Sequence, residues 1–300
     1  IRTAVLIGGD SLEKQKRQIR ANPHIIIATP GRLNDHLGQR TVKLDQVSIL
    51  VLDEADHMLD MGFAPQIAEV VKHVPKERQT MLFSATMPNE VVRLATSYLK
   101  IPTRVEVAPP GTAVEKISQE IFFVPHMEKL DLLLKLLTEY DGSVLVFTRT
   151  KFIAKRIALS LRNKGHQAVE IHSNRSLAQR REALDGFKSG RYRVLVATDI
   201  AARGIDVTGI EVVINYDLPE KAEDYVHRIG RTARAGREGR AISFATPDQK
   251  GNVRDIERLM RITLPVAGGT VPEGDMKPLR SVRRPASAAR PGARHFGRRR

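Results

Sequence analysis

Two consecutive α/β domains, each a doubly wound parallel sheet, are predicted by three features of this 300-residue sequence. Short apolar runs without internal alternation recur along it, helical patterns lie between them, and a Pro/Gly break at "VAPPGTA" (107–113) divides the series. Unbroken apolarity is what a parallel strand covered on both faces requires. Strands that alternate with helices imply a parallel sheet.

Before the break come "HIIIATPGR" (24–32), "VSILVLDEAD" (47–56) and "QTMLFSAT" (79–86). After it come "SVLVFTRT" (143–150), "YRVLVATD" (192–199), "EVVINYD" (211–217) and "AISFAT" (241–246). Each apolar stretch runs into Ser, Thr, Asp or Asn. Polar groups are thereby placed at the carboxyl edge, where open α/β sheets hold their ligands. Ile67, Val70, Val71 and Val74 follow i, i+3, i+4, i+7, and Ile153, Ile157 and Leu161 follow i, i+4, i+8, so both sets predict helices. The expected division is 1–107 for most of a first domain, 108–116 for a linker, 117–262 for a second domain and 263–300 for a disordered basic tail.

Composition narrows the class. No stretch approaches the roughly 18 apolar residues of a membrane span. The chain has no cysteine, which excludes disulfides, thiolate zinc sites and a cysteine nucleophile and fits a reducing, cytoplasmic setting. Its nine histidines show no HExxH-like spacing. The net charge is +15. Residues 276–300 carry nine of the 49 basic residues and none of the 34 acidic ones, so +6 remains on the first 275. A polyanion is the natural partner, nucleic acid before membrane, with a solubility tail as the plainer alternative.

Asp53 follows the run 47–52, so its carboxylate emerges at the ligand edge, where it can hold Mg²⁺ through water beside a phosphate. Glu54 points elsewhere and is a candidate to orient or deprotonate an attacking water. The plainer reading is three acids favouring a helix N-terminus. "SATMP" (84–88) ends a further strand with two hydroxyls, Ser84 and Thr86. In "HRIGRTARAG" (227–236), Arg228, Arg231 and Arg234 recur every three residues after an acidic helix start at Pro219. Guanidiniums so spaced repel one another unless an anion lies between them; a solvated basic face is the alternative.

The order TPGR (29–32), DEAD (53–56), SAT (84–86), LVFTRT (145–150), ATDIAARGID (197–206) and HRIGRTAR (227–234) resembles the DEAD-box RNA helicases of superfamily 2 over residues 1 to about 262. Within them it looks most like the bacterial RhlE-like branch. The resemblance implies two RecA-like domains closing on ATP and single-stranded RNA. It implies Asp53 for Mg²⁺, Glu54 for water activation, and Arg231 and Arg234 as arginine fingers. It further implies Arg203 and Asp206 beside the nucleotide. Asp56, Ser84, Thr86, His227 and Arg228 would couple the domains. RNA phosphates would meet Gly8, Gly9, Thr29, Gly31 and Arg32 on the first domain, and Thr148, Arg149, Arg180 and Thr198 on the second. Such groups ignore base identity, and an aromatic content of 5% argues against stacking as the main grip. The tail reads as a non-specific RNA tether.

Three positions depart from the family pattern: Ser173 after His172, Leu177, and Ala233 in place of a frequent glycine. Leu177 is expected to join Leu184 and Phe187 on an apolar helix face, and Ala233 reads as a mild change. A larger departure is the absence of any G-x-x-x-x-G-K-[ST] loop from the 300 residues. In a doubly wound domain that loop follows the first strand. With Ile1 not an initiator residue, the sequence reads as an amino-terminally truncated helicase whose first domain is only marginally stable. An ATP-independent RNA-binding module and a superfamily 2 DNA helicase are the alternatives.

Overall fold

The computed structural model describes residues 1–106, 116–202 (Ile200 by its backbone only), 207, 209–233 and 238–269. It contains two α/β lobes. The first runs β1 (Thr3–Leu6), α1 (Leu12–Arg20), β2 (Ile25–Ala28), α2 (Pro30–Gly38), β3 (Ile49–Leu52), α3 (Ala55–Asp60), α4 (Ala64–Lys72), β4 (Gln79–Leu82) and α5 (Asn89–Tyr98). β1 pairs with β2 and β3 with β4, both parallel, as two separate ladders. The second lobe runs β5 (Ile117–Phe123), α6 (Lys129–Glu139), β6 (Val144–Thr148), α7 (Lys151–Asn163), β7 (Ala168–Ile171), α8 (Leu177–Lys188), β8 (Val194–Thr198) and α9 (Asp199–Ala202). It continues with β9 (Val212–Asn215), α10 (Ala222–Ile229), β10 (Gly239–Ala245), α11 (Lys250–Met260) and β11 (Val266–Gly269). Its seven strands form one parallel sheet in the order β11-β5-β10-β9-β6-β8-β7.

Strand alternation builds two of the second lobe's three core clusters, the third gathering Ile121, Phe123, Tyr225, Ile229 and Ile256. Val144 and Val146 of β6 face Leu133, Leu137, Ile157 and Leu161 from α6 and α7. Leu145 and Phe147 face the other way, onto Ala183 and Phe187 of α8. Burial on both faces is what the unbroken runs predicted.

The first lobe departs from that expectation. Leu50 and Leu52 pack under Ile67, Val91 and Leu94, and Ile26 packs with Val70 and Val74, but Ile25, Ile27, Ile49 and Val51 are about half exposed. Apolarity on both faces predicts two covering layers; among the described residues, only one covers these strands. That apolar face is the physical basis for expecting 1–107 to be the less stable part.

Two further differences concern a boundary and a missed strand. The second domain does not stop at 262. Pro265 accepts from the Ile121 amide at 2.9 Å and β11 adds to β5, so the sheet extends to residues 265–269. β7 escapes an apolar-run search because Glu170 interrupts it; the carboxylate is buried and neutralised by Arg162 (2.7 Å) and Arg175. Most of the linker and residues 270–300 of the tail lie outside the described residues. No helix among the described residues is long and apolar enough to cross a membrane.

Candidate functional site

The candidate site begins where β3 turns into α3. Asp53 and Glu54 are both exposed, and the Asp53 carboxylate accepts from the Glu54 amide at 2.9 Å. Glu54 has φ 48° and ψ 50°, a left-handed conformation that a side-chain-bearing residue adopts only at a cost of about 1–2 kcal/mol. Ala55 N–H donates to the Phe83 carbonyl, and Phe83 N–H to that of Leu52, so the ladder with β4 pins the elbow on both sides.

Asp56, one step inside α3, is buried. Its Oδ2 accepts from the Thr86 amide (2.9 Å) and hydroxyl (2.8 Å), and Oδ1 from the His57 amide (2.9 Å). Ser84 Oγ accepts from the Asp56 amide and donates to the Thr86 carbonyl at 2.7 Å. From the other lobe, His227 Nε2 reaches within 3.6 Å of Asp56 Oδ2. Burial pushes the Asp56 pKa up, but the hydrogen bonds from His227, Thr86 and His57 outweigh it and hold the acid well below its usual range. A group depressed in this way stays charged at neutral pH, and its contribution is lost only in strong acid. Asp56, Ser84, Thr86 and His227 are thus brought together as the sequence suggested.

A second tie crosses the lobes beside the first. Asp60, one helical turn after Asp56, accepts from Lys221 Nζ at 2.6 Å at the head of α10. Two acids on one face of α3 therefore meet Lys221 at the head of α10 and His227 within it. The Lys221 pair is solvent-exposed, and such pairs contribute about 0.2–1 kcal/mol. In the cysteine-free chain, dyes placed through Lys76→Cys and Asn163→Cys can report lobe separation. Asp60→Lys should lower the closed population by up to about fivefold, and Asp60→Lys with Lys221→Asp should restore it. Simple additivity of the two changes would refute the tie.

The three arginines of 228–234 separate into different environments. Arg228 is buried within its own lobe: Nε and an Nη hydrogen-bond both oxygens of Asp199 (2.5 and 2.7 Å), and the other Nη donates to Asn215 Oδ1 (3.2 Å) and the Asp217 carbonyl (2.6 Å). Its guanidinium also stacks 5.1 Å from the Phe147 ring centroid. Arg228 therefore fixes α10 to the β8–α9 junction rather than contacting the first lobe. This corrects the expectation that it spans the domains, and an internal carboxylate supplies the anion its spacing called for. Arg231 donates from Nε to the His227 carbonyl at 3.1 Å and lines a shallow pocket with His227, Asp224, Asp199 and Ala202. Arg203, Asp206 and Arg234 lie outside the described residues.

Ala233 sits at φ 54°, so a glycine would be unstrained where this chain carries a methyl group. The change is not mild. Ala233→Gly should raise stability to denaturant by about 0.5–1 kcal/mol, the left-handed penalty less the extra entropy of an unfolded glycine. An unchanged unfolding midpoint would contradict this.

The residues expected to meet a polyanion lie at strand ends and helix starts. Gly9 takes φ 77° in the loop after β1, Thr29 precedes α2, and Gly31 opens onto free space. Arg32 donates to the Asp10 carbonyl at 3.1 Å, bringing α2 against that loop. Thr148 and Thr198 are register partners at the ends of β6 and β8. Thr148 is fully buried, however, and its hydroxyl points to the Thr150 and Ala197 carbonyls (3.3 and 3.5 Å), so it supports the edge rather than facing a ligand. Arg149 beside it is exposed, its amide held by Asp217 Oδ2 at 3.1 Å. Asp217 is in turn held by the buried Lys129, at 3.1 Å. Arg180 reaches the Ala201 carbonyl at 3.5 Å. Leu184 and Phe187 pack in the core, whereas Leu177 heads α8 with its Cβ 3.8 Å from where a Cβ on Gly9 would lie, so it meets the opposite lobe.

Sequence reasoning missed Asp199, Lys221–Asp60 and Lys129–Asp217. Asp199 stood in a quoted motif, and its place at a strand's carboxyl end was an available signal. The other two pairs join residues 161 and 88 apart, with no local pattern.

Comparison with known proteins gives two family matches: a DEAD/DEAH box helicase model over residues 1–94 and a helicase conserved C-terminal domain over 128–236. The chain is 43% identical over 258 residues to the ATP-dependent RNA helicase DbpA of Bacillus subtilis, and 43% identical over 259 residues to the DEAD-box ATP-dependent RNA helicase CshA of Geobacillus kaustophilus. Each match covers 86% of this chain and 54% or 56% of the relative, so the chain spans about half the length of these curated relatives. Among solved structures it is similar to S. cerevisiae Dbp5 bound to RNA and ADP BeF3: TM-score 0.81, 33% identity, 89% of this chain and 70% of that one. It is also similar to Mss116p bound to ssRNA and AMP-PNP: TM-score 0.79, 27% identity, 89% of this chain and 57% of that one.

Proposed function

This chain belongs to the DEAD/DEAH-box helicase family, and from that premise we propose that the protein couples RNA-stimulated ATP hydrolysis to local remodelling of RNA through closure of its two lobes. The observation that carries the reading is Asp56, which joins the Ser84–Thr86 segment to His227 of the opposite lobe. A contact shared between the β3 edge and α10 lets events at Asp53 and Glu54 be felt at Arg231. That Dbp5 and Mss116p are found with RNA together with ADP BeF3 or AMP-PNP supports the same ligands here.

Asp53 suits Mg²⁺, which takes one or two carboxylates and completes its shell with water and phosphate oxygens. When bound, the ion neutralises charge developing on the phosphates. Glu54 accepts the proton of the attacking water, and Arg231 faces the γ-phosphate from the second lobe; the family pattern would add Arg234 to that phosphate and Arg203 and Asp206 to the nucleotide, three residues outside the described ones. On the RNA side, Gly8, Gly9, Thr29, Gly31 and Arg32 hold backbone phosphates in the first lobe. Arg149, Arg180 and Thr198 do so in the second, and the basic tail tethers the strand. We place the protein in the RhlE-like branch on the wording of residues 42–63 and 193–206, and in the cytoplasm.

The test is ATP hydrolysis by the full-length product of the reading frame, with and without single-stranded RNA. RNA-stimulated turnover is expected; turnover indifferent to RNA would sink the reading. A second reading has its own observation. The 300 residues contain no G-x-x-x-x-G-K-[ST] loop, so on their own they are expected to bind RNA without turning over ATP.

A further inference from the structure

The carboxyl edge of the second sheet carries an aromatic ring that none of the core clusters uses. Phe152 is the second residue of α7, whose buried stripe is Ala154, Ile157, Ala158 and Leu161. It lies off that stripe and is 73% exposed. A phenylalanine gains nothing from this position through helix propensity.

Its neighbours are polar and cationic. Lys151 Nζ stands 5.3 Å from the Phe152 ring centroid and donates to Asn174 Oδ1 at 3.0 Å. Lys155 follows one turn along the helix. His172, 4% exposed at the end of β7, has both ring nitrogens buried without a hydrogen-bond partner. Burial first, then Arg175, Lys151 and Lys155 against Glu170, push its pKa down. An exposed ring with a cation beside it suits a ligand both flat and anionic. A nucleotide is both. Arg149, proposed above to hold a backbone phosphate, is three residues away.

We propose that Phe152, with Lys151 at its side, is a stacking platform for one unpaired nucleobase of the bound strand. The inference rests on the RNA-binding reading and refines it. The grip is mainly on the backbone, as the scarcity of aromatics implies, with one sequence-tolerant stack added at the second lobe. The ammonium pairs with that nucleotide's phosphate while the ring takes its base, so affinity at this point comes from both halves of one nucleotide.

The absence of tryptophan makes the test direct. In the 300-residue chain, emission from Phe152→Trp should be quenched by single-stranded oligouridylate and not by an abasic strand of the same length. Phe152→Ala should weaken oligouridylate binding by about tenfold. It should leave abasic-strand binding and the salt dependence of affinity unchanged, since that slope counts phosphates. Tight RNA binding with unquenched emission would overturn the platform alone, as would a Phe152→Ala variant that binds both strands like the parent. Failure of the parent chain to bind either strand would overturn the RNA reading and the platform with it.

Discussion

Glu54→Gln in the full-length product should lower RNA-stimulated ATP turnover by about 10²–10⁴-fold, the usual cost of losing a positioned base, and leave RNA affinity within about twofold. The expectation comes from the elbow after β3. Asp53 turns one oxygen back onto the Glu54 amide, whereas Glu54 is held at φ 48° and is exposed. With one Asp53 oxygen engaged by the main chain and Glu54 exposed, the two acids can serve different partners, Asp53 a cation and Glu54 a water. Glutamine keeps the volume and the left-handed backbone but cannot accept a proton at neutral pH. Local unfolding of the elbow is therefore not expected, because the Ala55–Phe83 and Phe83–Leu52 hydrogen bonds involve only main chain. Turnover by Glu54→Gln within about fivefold of the parent would assign the base elsewhere.

How far such roles could be read from sequence depended on the range of the interaction. "VLDEAD" displayed a strand, its end and three acids within six residues, and the structure ends β3 at Leu52 with Asp53 and Glu54 exposed and Asp56 buried. The continuous runs located seven of the eleven described strands, and for the four in the second sheet burial on both faces explains the mark. β7 left none, since Glu170 draws its neutralising charges from α7 and from the loop after the strand. The left-handed backbone at Glu54 and Ala233 was invisible for a different reason. Neither residue type announces it, and surrounding main-chain bonds impose it. Lys129 looked like one more helix-surface lysine, yet it is buried under the Tyr216 carbonyl (2.8 Å) and Asp217 (3.1 Å), where it holds the residue that fixes the Arg149 amide. Charge spacing in 228–234 gave the right helix edge but treated three arginines as equivalent, and only tertiary structure distinguishes Arg228 from Arg231.

That distinction predicts opposite phenotypes for two neighbouring substitutions. Arg228→Leu should destabilise the second lobe by about 3–5 kcal/mol, the range for breaking a buried ion pair from one side. It would leave Asp199 without its two-oxygen partner and Asn215 Oδ1 and the Asp217 carbonyl unsatisfied, while emptying the face of Phe147. Lysine is not expected to rescue it, because an ammonium cannot reproduce the planar fork that spans both Asp199 oxygens. Arg231→Leu, by contrast, removes a side chain bonded to the His227 carbonyl at the rim of the pocket, and should change stability by no more than about 0.5 kcal/mol. Its effect should instead appear in the full-length product as a loss of about 10³–10⁵-fold in ATP turnover, the range for an arginine finger. Urea unfolding of both variants, followed by hydrolysis assays on the one that remains folded, separates the two roles. Equal destabilisation by the two substitutions would mean that Arg231 also belongs to the core network, and the assignment of a phosphate-facing role to it would fall.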